Sequence, residues 1–244
     1  MFSLFVKEIN SFFSSIVGYL VIIVFLTIIG LVMWVFPSVE FNVLDSGYAS
    51  IDTLFVIAPW VFMFLIPAIT MRTFSEENRT GTIELLLTKP LTDFEIINAK
   101  YFSSLILLII SILPTLIYFY SVSELGNPKG NVDTGGMWGS YIGLLFLGGA
   151  FVSIGLFASS LSDNQIVAFI VAVFLCFFSY IGFDSVSSLA LFGKIDSFIL
   201  KLGINEHYVS MSRGVIDSRD LVYFFSVILF FQLLTKTKLE SRKW

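Results

Sequence analysis

One cysteine and one histidine in 244 residues leave few materials for the commoner kinds of active site. Cys176 lies inside an apolar run, so the chain has no disulfide or cysteine-metal framework. It reads as a small buried hydrophobe. A histidine-based metal site or a Ser-His pair would have to use His207, which sits outside the apolar runs in NEHYVSMSRGVID and reads as an ordinary interface residue. Neither H-E-x-x-H nor G-x-S-x-G occurs, and the nearest approach to a phosphate-binding loop, GNPKGN, lacks its spacing and context. No catalytic residue, metal ligand or cofactor is therefore assigned to this chain, and it is expected neither to be an enzyme nor to bind nucleotide by itself.

Charge is the second shortage. Only 13% of residues are charged, where an ordinary soluble domain carries about 25%. The formal net charge of −4 is modest and the charges sit in short segments, so no nucleic-acid footprint follows. In their place stand 57% hydrophobic residues, 28 of them Phe, a composition that bilayer-facing helices tolerate and a soluble core of this size does not. The start of the chain lacks a short apolar stretch followed by a small-residue cleavage site, so the first apolar run is expected to remain as a span.

A spanning helix needs about 20 apolar residues to cross a core of ~30 Å. Charge-free runs of that order place spans at 16–36, 53–71, 101–120, 138–161 and 165–182, with a shorter sixth at 221–235 that ends in Lys236 and Lys238. The expected fold is all-α, a single polytopic membrane domain over 1–244 with six transmembrane helices. Residues 1–15 mix Phe2, Phe5, Ile9, Phe12 and Phe13 with Ser3, Lys7, Glu8, Asn10 and Ser11, which predicts an interfacial helix with one greasy and one polar face. The alternative is that they are the first turns of span one. Segment 183–219 mixes apolar pieces with Gly193, Lys194, Asp196 and Gly203 and is expected to be an outer, partly re-entrant region.

Basic residues orient the fold. Lys7, Arg72, Arg79, Lys89, Lys100, Lys236, Lys238, Arg242 and Lys243 fall on one side, nine of the 14, and five fall on the other. The richer side is expected to be cytoplasmic, with both termini inside. Pro59, Pro67 and Pro114 predict bends within spans. Gly143, Gly148, Gly149 and Gly155 predict close helix approach in span four, with a pore lining as the alternative.

One stretch does not look like membrane. Residues 76–101, EENRTGTIELLLTKPLTDFEIINAKY, lie between spans two and three and hold five acids and three bases. Gly81 predicts a break, 82–88 a short helix with Ile83, Leu86 and Leu87 on one face and Glu84 away from it, and Pro90 a stop. Two turns of helix are marginal alone, so that apolar face needs cover. Thr92-Asp93-Phe94-Glu95 is a capping box that opens a new helix running through Lys100 into span three. On these residues the stretch is either a partner-binding elbow or a well-capped loop.

The run Glu77-x-x-x-Gly81-Thr82-x-Glu84-x-Leu86-Leu87-x-x-Pro90 resembles the signature of permease subunits of type-2 ABC exporters. The overall likeness, including SRGVIDSRDLVYF at 212–224 and the end Lys243-Trp244, is similar to the gliding-motility-associated permeases of gliding Bacteroidota. That resemblance implies a cytoplasmic coupling segment at 76–95 seated in a groove of a separate cytosolic ABC ATPase, which holds the ATP and Mg. Glu76, Glu77, Gly81, Thr82, Ile83, Glu84, Leu86, Leu87 and Pro90 are the implied contact residues. It further implies a bacterial inner-membrane permease working as a homodimer or with a related second subunit, in export or in assembly of a gliding machinery. An ATP-independent channel or carrier, and a structural anchor of a motility complex, are the alternative functions.

Overall fold

The structure, a computed structural model, describes residues 1–37, 40–87, 90–189 and 193–241, the side chains of 85–87 and 194 excepted. It is helical, without strands among the described residues, and six of its helical stretches are long and apolar enough to cross a membrane. These are α2 (Ile16–Trp34), α3 (Asp52–Thr80), α5 (Asp93–Ile112) continued through a 3-10 turn into α6 (Leu116–Leu125), α7 (Thr134–Leu161), α8 (Gln165–Phe177) continued through a π turn into α9 (Phe183–Ser188), and α12 (Ser218–Glu240). Before them comes α1 (Phe2–Phe13). Short helices α4 (Thr82–Leu87), α10 (Asp196–Leu200) and α11 (Ile204–Met211) fill the connections.

α7 is the central helix. Of its most apolar stretch 78% is buried, against 22% for α8–α9 and for α12, because it packs along α3 and also meets α5, α8, α11 and α12. Its small residues make this possible. A methyl group added at Gly155 would overlap the Thr70 hydroxyl of α3, and one at Gly148 would overlap Leu108 of α5. At Gly149 it would sit 2.8 Å from the Tyr101 hydroxyl, and at Gly143 3.2 Å from Cβ of Met211 on α11. Four glycines on one helix thus admit three different neighbours.

Pro59 acts through the partner that it releases. Pro59 has no N–H to give the carbonyl of Phe55 one turn earlier in α3. The Tyr208 hydroxyl of α11 donates to that carbonyl at 2.7 Å, which docks the 204–211 helix onto the bundle. At the far end of α3, Ser159 of α7 enters the helix's own ladder: its hydroxyl donates to Met71 O at 2.9 Å and accepts from the N–H groups of Phe74 (3.0 Å) and Ser75 (3.2 Å). These three bonds tie α3 to α7 where its apolar part ends.

Three expectations shift. α1 is a separate helix, turned off α2 at Ser14-Ser15, but Glu8 is not on a solvent face: Leu4, Glu8 and Phe12, at i, i+4 and i+8, form the buried side. The fifth span runs beyond residue 182 to Ser188, so Asp184 lies on a helix counted as spanning. The sixth, short when judged by uncharged residues alone, is a continuous helix of 23 residues, about 34 Å long, because Asp217 caps it before Ser218 and its charged last turns continue the helix.

Candidate functional site

The polar stretch after span two is built by an overlong helix. α3 has 29 residues, about 43 Å at the usual rise, against a hydrocarbon core of about 30 Å. The apolar part ends near Met71, and Arg72–Thr80 run on as a lever. Gly81 ends it at φ 70°, a left-handed cap that glycine adopts without strain, with its N–H on Asn78 O at 3.2 Å. The Thr80 and Thr82 hydroxyls bond across the turn at 2.9 Å. α4 follows with Ile83 turned inward and Glu84 exposed.

α5 then starts on a complete capping box. The Thr92 hydroxyl accepts from Glu95 N at 3.3 Å, and the Glu95 carboxylate accepts from Thr92 N at 2.9 Å. The Thr92 backbone N–H, helped by its hydroxyl, holds the Glu95 carboxyl below the usual carboxylate value.

Two turns into α5, Lys100 is buried and anchors the elbow from inside. Its ammonium lies 3.0 Å from Glu77 Oε1 of α3 and 3.2 Å from Glu8 Oε1 of α1. It also donates to Thr73 O at 2.8 Å and sits 5.1 Å from the centre of the Phe74 ring. Lys7, more exposed, reaches both carboxylates at 3.5 Å. Partial burial lowers the Lys7 pKa, but the attraction of Glu8 and Glu77 outweighs it and raises the ammonium above its ordinary value. Two charges of each sign from three helices cancel at this point, and a buried charge is tolerable only in such company. A second tie joins α3 to the α1–α2 turn, from Arg72 Nη2 to Ser15 Oγ at 3.2 Å.

Of the residues named from the sequence, Glu76, Gly81, Thr82, Glu84 and Pro90 are exposed along the elbow. Ile83 and Glu77 face the protein, Glu77 as part of the ion cluster. The side chains of Leu86 and Leu87, and Thr88 and Lys89 entirely, lie outside the described residues, as do Arg242, Lys243 and Trp244. Sequence reasoning missed Lys7, Glu8, Lys100 and Ser159 as a functional group of residues. The one signal in the chain was Glu8 standing in register with Leu4 and Phe12.

His207 is held rather than presented. One ring nitrogen is 2.7 Å from Asp220 Oδ1, the other 3.0 Å from Lys201 O, and the ring stacks on Tyr223 at 3.8 Å. Among the described residues no three His, Cys, Asp or Glu side chains are grouped to hold a metal ion.

No curated protein matches the chain. A family model described as ABC-2 family transporter protein matches residues 41–208, a stretch that takes in α3, the elbow, α5 and α7. That match covers more than half of the chain, and the chain therefore belongs to the ABC-2 transporter family: it is a membrane permease subunit of an ABC transporter.

Proposed function

We propose that the elbow from Glu76 to Pro90 is the seat of a cytosolic ABC ATPase, and that ATP hydrolysis on that partner, with its Mg, moves α3 and α5. One observation carries the reading. The lever of α3, the foot of α5 and α1 are locked to one another by the Lys100 cluster, so a force applied to the exposed edge at Glu76, Gly81, Thr82 and Glu84 reaches two spans together. The Ser159 hydroxyl of α7 binds the backbone of α3 at the base of that lever. Two discrete arrangements of such an element are what a coupling mechanism requires. Family membership supports a partner ATPase in general.

On this reading the elbow and both termini are cytoplasmic, in a bacterial inner membrane, in line with the bias of Lys and Arg. The working unit is a dimer, of this chain or with a related permease. The finer reading, in export or assembly of a gliding-motility machinery, rests on the sequence likeness alone. The docking test is co-purification with the ATPase. Glu84→Lys and Leu86→Asp are expected to leave the permease inserted in the membrane and to lose the ATPase. Full capture by both variants would end the coupling role assigned to these residues.

A further inference from the structure

At the end of the bundle opposite the elbow, α3, α7, α9 and α11 border a half-open cavity of about 640 Å³, within the range of small-molecule sites. Its chemistry is one-sided. Asp52, Asp133 and Asp184 line it, and among the described residues no Lys, Arg or His does. Its aromatic walls are Phe55, Trp60, Tyr180 and Tyr208. Trp60 and Tyr180 stand nearly at right angles, ring centres 6.3 Å apart, and the indole is half-exposed.

The carboxylates are not equivalent. Asp133 is occupied in capping α7, accepting from Gly136 N at 2.9 Å. Asp184 uses one oxygen to accept from Asn205 Nδ2 at 2.7 Å. Its other oxygen, Oδ1, is buried and has no hydrogen-bond partner among the described residues. The Tyr180 side chain is more than nine-tenths buried, and no hydrogen bond of its hydroxyl to another described residue is found. An ionisable group on a spanning helix with an unmet oxygen is expensive unless something completes it.

We infer that this cavity binds an organic cation, an ammonium group carried on an apolar body. The carboxylates are too dispersed to hold a compact metal ion, whereas an alkylammonium spreads its charge over a volume of this size and draws on ring faces as well as carboxylates. Asp52 at the exposed rim attracts the cation. Asp184 pairs with it inside, and Trp60 and Tyr180 receive the alkyl groups. The inference is independent of ATPase docking and concerns binding alone.

The test uses the full chain in nanodiscs without ATPase, titrated with benzyltrimethylammonium, its neutral isostere neopentylbenzene, and benzoate, with binding followed by calorimetry. Saturable binding of the cation is expected, with no saturable binding of the isostere or benzoate. Asp184→Asn, which keeps an acceptor for Asn205, and Trp60→Leu should each weaken binding about tenfold. Equal binding of cation and isostere would reduce the cavity to an apolar pocket and overturn the assignment. So would a cation affinity unchanged in both variants. Where a variant does not fold, the comparison of the three probes on the unaltered protein decides the matter by itself.

Discussion

The ammonium of Lys100 stands 3.0 Å from the carboxylate of Glu77, the lysine buried and the glutamate largely so. Glu77 belongs to the signature run for which the family resemblance implies partner binding, yet its carboxylate is turned into the protein. The signature therefore combines two tasks. Its exposed positions present an edge, and its first glutamate fixes that edge to α5 and α1.

Removing the lysine should be costly. Lys100→Met leaves Glu8 and Glu77 buried with Lys7 alone for company, a loss of about 3–5 kcal/mol for a broken buried pair. A lowered melting temperature in detergent is expected. The triple variant Glu8→Gln, Glu77→Gln, Lys100→Met should regain most of it, because the one charge left, on Lys7, is largely exposed to water. A triple variant as unstable as the single one would show that packing of the lysine stem, and not charge, is what matters.

Tyr208 and Pro59 should be thermodynamically coupled. Tyr208→Phe strands the Phe55 carbonyl that Pro59 leaves unpaired, at about 1–3 kcal/mol. In a Pro59→Ala background the helix supplies its own N–H, and the same substitution should cost much less. A double-mutant cycle measures this, and additive effects would argue against the shared carbonyl.

Ser159 should control the stiffness of the lever. Ser159→Ala removes the oxygen that the amides of Phe74 and Ser75 donate to. Hydrogen exchange at those two amides should rise, while exchange in the middle of α7 stays as it was. Unaltered protection at both would mean that the helix ladder alone satisfies them.

The capping box carries a pH dependence of known sign. Glu95 has a folded-state pKa below its ordinary value because Thr92 donates to the ionised form. Its contribution is complete above the unfolded carboxylate value, about 4.3, and is lost as pH falls through the lower folded one. Exchange protection of the first turn of α5 should fall in that acid window, and Glu95→Ala should abolish the dependence. An identical acid profile in the variant would place the sensitivity elsewhere.

What the sequence determined by itself is what local chemistry decides. Long uncharged runs are spans whatever surrounds them, because the alternative leaves apolar surface in water. Gly81 ends a helix because it alone enters the left-handed region without strain. Thr92 and Glu95 open one because their two bonds close within four residues. The glycines of α7 promised close approach, and close approach is found. Their four partners were not legible, since Thr70, Leu108, Tyr101 and Met211 come from distant parts of the chain. The same holds for Lys100, which meets Glu8 across 92 residues, and for Glu8 itself, which a division into greasy and polar faces set toward water. Electrostatic pairing inside a low-dielectric bundle depends on which helices become neighbours, and only the tertiary structure decides that.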